Sequence, residues 1–358
     1  MKENIIVVGG YGYVGQKICK ELAEQYPGKV YAAGRSLERA EQFSRSTDGT
    51  VHPLQLHIGK QIHPNILNNV KLIIMCLDQT DTEFVQMCLK KGIHYIDISA
   101  SYSFLSQVEK LHKKALSSQA TAVLSVGLSP GLTNLFAQHA KSLLDETDAI
   151  DISIMLGLGD QHGRAAIEWT VDNLDKKYNI MQDTVLIEVS SFTEGKKILF
   201  GQGIGRKKAY RFDFSDQHVL PQTLDVPSVS TRLCFDSAFV TRLLAFLRKL
   251  GLARLLKFRL IRETFVQLFS KIQVGKAMFA VKVDAKGKIN DENMLVECFA
   301  QGKREAAITA KIAAITASKV YSTINPKGVY HIEQLFTLED MLQTIQQSTF
   351  IETIIKKA

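Results

Sequence analysis

The stretch NIIVVGGYGYVGQ, residues 4–16, runs from an apolar segment into a glycine cluster, and Gly10, Gly12 and Gly15 stand at the spacing G-x-G-x-x-G. Nothing else in the chain limits the fold so narrowly. The apolar run reads as a buried strand. After Gly15 the apolar residues Ile18, Cys19, Leu22, Ala23 and Tyr26 recur at helical spacing, and Pro27-Gly28 stops them. The glycines therefore sit between a strand and a helix, the setting in which this spacing cradles a dinucleotide pyrophosphate. Gly10 is expected to make the tight turn, Gly12 to let the phosphates approach and Gly15 to let helix and strand pack. Tyr11, Tyr13 and Val14 fill the same loop.

Further strands are read at KVYAAGR, at KLIIMCL (71–77), at HYIDIS and at ATAVLSVG, with helices over 83–91 and 103–118 between them. Strands alternating with helices imply right-handed crossovers and a doubly wound parallel sheet of the Rossmann type. An NAD site usually carries an acidic residue at the end of the second strand, for the ribose 2′-hydroxyl. That place reads Ala33-Gly34-Arg35-Ser36. A guanidinium suits bidentate contact with a phosphate, so Arg35 and Ser36 favour NADP over NAD. Arg39 lies one helical turn on, and Glu38 leaves the balance open.

Ligands of such sheets bind beyond the carboxyl ends of the strands. Three loops qualify: CLDQT with Cys76 and Leu77, DISASY with Asp97, Ser99 and Tyr102, and GLSPGLTN with Ser129 and Asn134. Cys76 and Leu77 are assigned to the cofactor, Ser99, Ser129 and Asn134 to a substrate. Asp97 is the candidate acid or base. It can equally cap the next helix.

The segments GGYGYVGQ, AAGRS, HYIDIS, GLSPGLTN and the ending GKREAAITAKIAAITASKVYS…PKGVYHIEQLF together resemble the saccharopine dehydrogenase-like (saccharopine reductase-like) oxidoreductases. The resemblance covers both ends of the chain, about half its length, and leaves the middle unmatched. It implies an NAD(P)-binding Rossmann domain over 1–130, a mixed α/β substrate and dimerisation domain over 131–307, and a segment of about 308–358 that returns to the first domain. It also implies chemistry on amino-acid or polyamine substrates. No catalytic acid or base carries over from it.

From Asp148 the pattern turns to strands, which read as a second, largely antiparallel sheet. One hairpin is expected in SSFTEGKKILF with its turn at Gly195, another in AMFAVKVDAKGKINDENMLVECFAQG with its turn near Gly287. Such a sheet can pair with a copy, so a homodimer is expected. GDQHGRAAIEWTVDNL interrupts the strands and offers a pocket wall, with Asp160 and Trp169 as substrate contacts and His162 as a general acid. Each also has a plain structural reading.

The segment 239–269 is apolar and basic. Ten Lys or Arg stand between Arg232 and Lys276, within a formal net charge of +8 for the chain. Gly251 splits the segment into two helices, and Leu244, Leu247, Leu255 and Phe258 can share a stripe. Packing, a dimer contact and an anionic membrane surface are all open to it. Its cations alternate with aliphatics rather than aromatics, which argues against nucleic acid. The helix at 303–322, rich in Ala, reads as buried.

The five scattered cysteines form no C-x-x-C pair and the histidines show no ligand spacing, so no metal site is expected. The start is not a secretory signal, and no apolar stretch is long enough to span a bilayer. A cytoplasmic protein is expected. The leading functional expectation is an NADP-dependent oxidoreductase that passes hydride to or from a small amino-acid-like substrate. A membrane-surface reductase of lipid-like substrates and a non-catalytic NADP(H) sensor are the alternatives.

Overall fold

The chain divides into two compact units, Met1–Gly131 with Ala306–Phe336, and Leu132–Glu305 with Thr337–Ala358. The computed structural model describes residues 2–59, 64–201, 203–271 and 275–358.

In the first unit, apolar runs form β1 (Asn4–Val8), β2 (Val30–Gly34), β3 (His52–Gln55), β4 (Val70–Met75), β5 (His94–Asp97) and β6 (Thr121–Leu124). A seventh strand, Gly328–His331, pairs with β6. All pairings are parallel and the order is Gly328–His331, β6, β5, β4, β1, β2, β3. The order reverses between β1 and β4, which opens the crevice where this fold takes nucleotides. One face of the sheet is sealed by Ile6, Val8, Ile73, Met75, Tyr95 and Leu124 with the helices over 83–90, 102–109 and 112–117. The helix expected over 103–118 is two helices, because Leu111 N–H turns back to Val108 O, three residues away, and breaks the α pattern. β3 escapes a pattern reading because it holds Pro53. Proline is tolerated there because β3 is an edge strand.

The second unit holds β7 (Glu146–Leu156), β8 (Lys177–Gln182), β9 (Val185–Ser190), β10 (Lys196–Phe200), β11 (Gly205–Arg211), β12 (Ser228–Phe235), β13 (Met278–Ile289), β14 (Glu292–Lys303) and the C-terminal strand Thr349–Lys357. Seven of these form a mixed sheet in the order β10, β11, β12, β7, β13, β14, C-terminal strand. Only β12 with β7 is parallel. β8 and β9 make a separate two-stranded hairpin.

Three expectations need correction. The hairpin with its turn at Gly195 does not form. β9 is already paired to β8 through Asp183-Thr184, both in the left-handed region, and β10 pairs with β11. The β13–β14 hairpin does form, but it turns at Asn290-Asp291, both with positive φ, and Gly287 stays in the ladder opposite Met294. The segment 308–358 does not stay together. Residues up to Phe336 complete the first unit, while Thr349–Lys357 adds antiparallel to β14 in the second.

The segment 239–269 forms helices Ala238–Lys249 and Arg259–Lys271, separated at Gly251 (φ 76°) by a 3-10 turn over Leu252–Lys257. The expected apolar stripe is only partly sheltered. Leu244 is buried, but Leu255 and Phe258 are exposed, because the 3-10 turn resets the helical phase. The helix Glu305–Ser322 buries Ala306, Ala310, Ala313, Ala314 and Ala317 together with Ile308, Ile312 and Val320, as expected of a buried helix.

Candidate functional site

The glycine loop closes more tightly than its spacing alone implies. The left-handed residue of the turn is Gly9 (φ 80°), outside the expected triplet. A Cβ on Gly10 would lie 2.6 Å from Ala32 Cα in β2, and one on Gly15 would lie 2.2 Å from Gly9 O. These two positions are glycine so that turn, strand and helix can touch. Gly10 is thus a packing glycine rather than the turn maker. A Cβ on Gly12 would meet only Gly9 O, at 3.0 Å. Gly12 is the member of the triplet whose outer side is open, as close approach of a pyrophosphate requires.

The helix that follows, Gly15–Gln25, starts beyond Val14 with no side-chain cap and no acidic residue in its first turn. Gln16 N–H donates to Gly12 O, and Lys17 and Ile18 N–H to Val14 O, so what the helix start offers an anion is chiefly its positive dipole end. Tyr13 lies under Lys17, whose Nζ is 5.0 Å from the ring centre. The residues present therefore fit a dinucleotide.

Tyr11 lies across the end of β2. Its ring fills the space that a Cβ on Gly34 would need, at 2.5–2.6 Å, and its hydroxyl accepts from Ser36 N–H at 3.0 Å. Ser36 Oγ caps the helix Leu37–Arg45 by accepting from Arg39 N–H at 3.2 Å. Two of Ser36's polar groups are thus engaged within the fold. Arg35 is exposed, and Arg39 lies over the Tyr11 ring with Cζ 4.9 Å from its centre. Two guanidinium groups therefore flank the end of β2, and no acidic side chain ends that strand.

The ends of β4 and β5 carry a buried polar cluster. Asp97 is 0% exposed. Its Oδ2 accepts from Tyr95 Oη–H at 2.5 Å and from Gln79 Nε2 at 3.3 Å, and its Oδ1 accepts from Ser99 N–H at 2.8 Å. Gln79 also donates to Tyr95 Oη at 2.7 Å. Burial pushes the Asp97 carboxyl up to about 7, against the pull of the Tyr95 and Ser99 hydrogen bonds, and the Asp78 charge adds to the rise. A carboxyl with that value can hold or release a proton near neutral pH. The half-buried Cys76 beside it has its thiol pushed up, by burial first and then by Asp97, which disfavours the thiolate. Leu77 is exposed, and Ser99 is buried with its Oγ accepting from Ser101 N–H at 3.2 Å. Sequence reasoning misses Tyr95 and Gln79 as members of this site. The alternation of β5, which puts Tyr95 and Asp97 on one face, is the available signal for the first of them.

Next to β6, Ser129 and Pro130 are joined by a cis peptide bond. Ser125 has φ 58°, and its Oγ lies 2.7 Å from His331 Nδ1, while His331 Nε2 lies 3.0 Å from Glu109 Oε1. No sequence pattern links these three residues; the strand Gly328–His331 brings them together.

The remaining candidates belong to the second unit. Asn134 is buried in the helix Thr133–Ser142. Asp160 Oδ2 accepts from Glu305 N–H at 2.7 Å, and His162 sits between Glu305 Oε2 at 3.1 Å and Gly157 O at 3.0 Å. Both residues thus hold the start of the helix at Glu305. Trp169 packs edge-on against Phe212 and tilted against Phe214, with ring centres 5.5 and 5.0 Å away. Its visible role is packing.

A Rossmann sheet with an open-faced glycine cradle is the setting in which a dinucleotide binds. Residues 5–123 match the family described as "Saccharopine dehydrogenase NADP binding domain". Over those residues the chain is similar to the NADP-binding domain of the family that its sequence resembles. It is similar to carboxynorspermidine synthase of Vibrio cholerae, 22% identical over 199 residues. That match covers 48% of this chain and spans 47% of the relative's length. Among solved structures it is similar to the apo saccharopine dehydrogenase (L-Glu forming) of Saccharomyces cerevisiae, with a TM-score of 0.71 and 13% identity over 98% of this chain and 100% of that one. This likeness extends the fold to the second unit. Among the described residues no helix is long and apolar enough to cross a membrane.

Proposed function

We propose that the protein is an NADP-dependent oxidoreductase that exchanges hydride with a carbon bonded to nitrogen in a small amino-acid-like substrate. The observation that carries this reading is the end of β2, where Arg35 directly follows the strand in place of a carboxylate and Arg39 adds a second guanidinium, against the one acid Glu38 in the next helix. When bound, NADP(H) supplies or takes the hydride. The chain's part is positional and electrostatic. Gly12 and the uncapped helix Gly15–Gln25 hold the pyrophosphate, and Arg35 with Arg39 takes the 2′-phosphate. Asp97 holds the proton that accompanies a change at nitrogen, with Tyr95 and Gln79 fixing its carboxyl. Ser99 and Ser129 line the substrate side. A cytoplasmic location and a homodimer belong to the same proposal.

The test is equilibrium binding of NADPH and NADH to the wild type and to Arg35→Ala. The variant is expected to lose about tenfold or more in NADPH affinity while NADH affinity holds. Unchanged NADPH affinity would sink the assignment. Binding without turnover across an amine and amino-acid panel, read at the nicotinamide absorbance, would favour the sensor reading instead.

A second reading is favoured by the helices over 238–271. Phe239, Phe246, Leu250, Phe258, Leu260 and Leu268 are all more than half exposed, among exposed Arg242, Lys249, Arg254, Lys257 and Arg259. An apolar surface rimmed with cations suits the interface of an anionic membrane. Arg248 and Arg262 are poor probes, since they pair with Asp175 and Asp172. Liposomes containing phosphatidylserine should bind the protein, and Lys257→Glu with Phe258→Ser should abolish that binding. Equal sedimentation with neutral liposomes, or no effect of the double substitution, would refute it.

A further inference from the structure

β7, β11 and β12 bring a second charged cluster onto one face of the mixed sheet. Ser230 lies beside Asp151 in the β12–β7 ladder, and Arg211 lies opposite Arg232 in the β11–β12 ladder. Together with Lys196 and the β8 end of the small hairpin they line a cavity of about 310 Å³ within the second unit. That is at the small end of ligand pockets, which run about 300–1,000 Å³.

The two arginines are 6% and 8% exposed, yet their donors are not all used. Arg232 gives Nη1 to Asp151 at 3.1 Å and to Ser230 Oγ at 2.7 Å, and Arg211 gives Nε to Glu194 at 2.6 Å. Arg211 Nη1 and Arg232 Nε are buried with no acceptor among the described residues. Ser153 Oγ, which neighbours Arg232 in the ladder, also lacks a partner there. Burial and the neighbouring Arg211 charge depress the Arg232 pKa against the pull of Asp151. Two side-by-side guanidiniums with spare donors make an incomplete arrangement, and an oxyanion completes it.

We propose that Arg211 and Arg232 form a binding site for the carboxylate of a small α-amino acid. The mixed charge of the cavity selects this class. Asp183 stands exposed at the rim, with its carboxylate accepting from Ser228 Oγ at 3.0 Å, while Asp151 on the wall is already paired with Lys196 at 2.7 Å and Arg232 at 3.1 Å. A zwitterion places its carboxylate on the spare guanidinium donors and its ammonium toward Asp183. A phosphate dianion brings no cation for Asp183 and meets its repulsion.

The inference shares only its ligand class with the proposed function, so the test separates the two. Isothermal titration calorimetry on the full chain without cofactor uses L-alanine, L-glutamate and inorganic phosphate in separate arms. NADPH is titrated into the same preparations. At least one amino acid should bind saturably at one site per chain. Arg232→Lys, which keeps the charge and loses the fork, should weaken it by about tenfold, as should Arg211→Gln. NADPH affinity should be unchanged in both variants, which also reports that they fold. Absence of saturable amino-acid binding, equal affinity in wild type and Arg232→Lys, or tighter binding of phosphate would each overturn the proposal. Failure of wild type to bind NADPH would overturn the cofactor reading and leave this site standing.

Discussion

Asp97→Asn should change how the stability of the first unit depends on pH, and the structure sets the size of the change. The folded carboxyl is raised from its ordinary 3.8 to about 7, mainly by burial. A raised folded value means that the folded state keeps its proton while the unfolded state has released it. Stability therefore falls as pH rises between about 4 and 7, and levels off above that. A shift of about three units at about 1.4 kcal/mol each gives about 4 kcal/mol across the window. His94 slopes the other way. Burial, with Lys327, Lys71 and Lys2, lowers it to about 4, so its contribution grows as pH rises from about 4 to 6.5. His94 is common to wild type and variant and cancels in their difference. The substituted amide keeps the size of the side chain and the acceptor for Ser99 N–H without the charge. Urea denaturation of both proteins at intervals from pH 4.5 to 8, followed by far-UV circular dichroism, yields the difference curve. It should fall by several kcal/mol toward pH 7. A difference that stays flat within about 1 kcal/mol would show that Asp97 ionises at an ordinary carboxylate pH and would remove it as a neutral-pH proton carrier.

Two further outcomes follow from close contacts. Gly15→Ala puts a Cβ 2.2 Å from Gly9 O, so it should cost about 1–3 kcal/mol in thermal or urea unfolding and also abolish NADPH binding. Gly12→Ala meets only one backbone atom, at 3.0 Å, so it should lower NADPH affinity while leaving stability nearly intact; equal destabilisation by both would contradict the division of roles. In the second unit, burial works against charge on His162, but the hydrogen bond and charge of Glu305 outweigh it and raise its pKa. That contribution is complete below the unfolded value near 6.5 and is lost as pH rises through the folded value. Glu305→Gln should lower the His162 titration midpoint read from its ring proton by NMR, and an unmoved midpoint would refute the pairing.

The first unit was legible because each of its signals is local. A strand, three glycines and a helix in series need no distant partner to be understood, and the ends of β2, β4 and β5 follow from counting along the chain. What escapes is which neighbouring strands pair and where their turns fall. SSFTEGKKILF looks like a hairpin by itself, yet β8, whose buried Tyr178 and Ile180 alternate with exposed Lys177 and Asn179, takes β9 first. Asn290-Asp291 is a turn signal that the nearby Gly287 obscured. Gly9 lies one residue before the motif and carries no spacing signal of its own, although the turn depends on it. Asp97 was visible as a carboxylate at a strand end. Its proton affinity depends on enclosure by Tyr95 and Gln79, and burial cannot be counted from spacing.

The strand Gly328–His331 has a consequence for synthesis. It completes a sheet whose other six strands are finished by Leu124, and the whole second-unit sheet except its last strand is made in between. Until Gly328 emerges from the ribosome, β6 presents a bare row of amide and carbonyl groups to any passing strand. An early Rossmann half therefore carries an aggregation-prone edge while the chain is finished. A fragment ending at Gly131 keeps every glycine of the cradle yet carries this open edge permanently. Supplying residues 306–336 in trans or by fusion is what would close it.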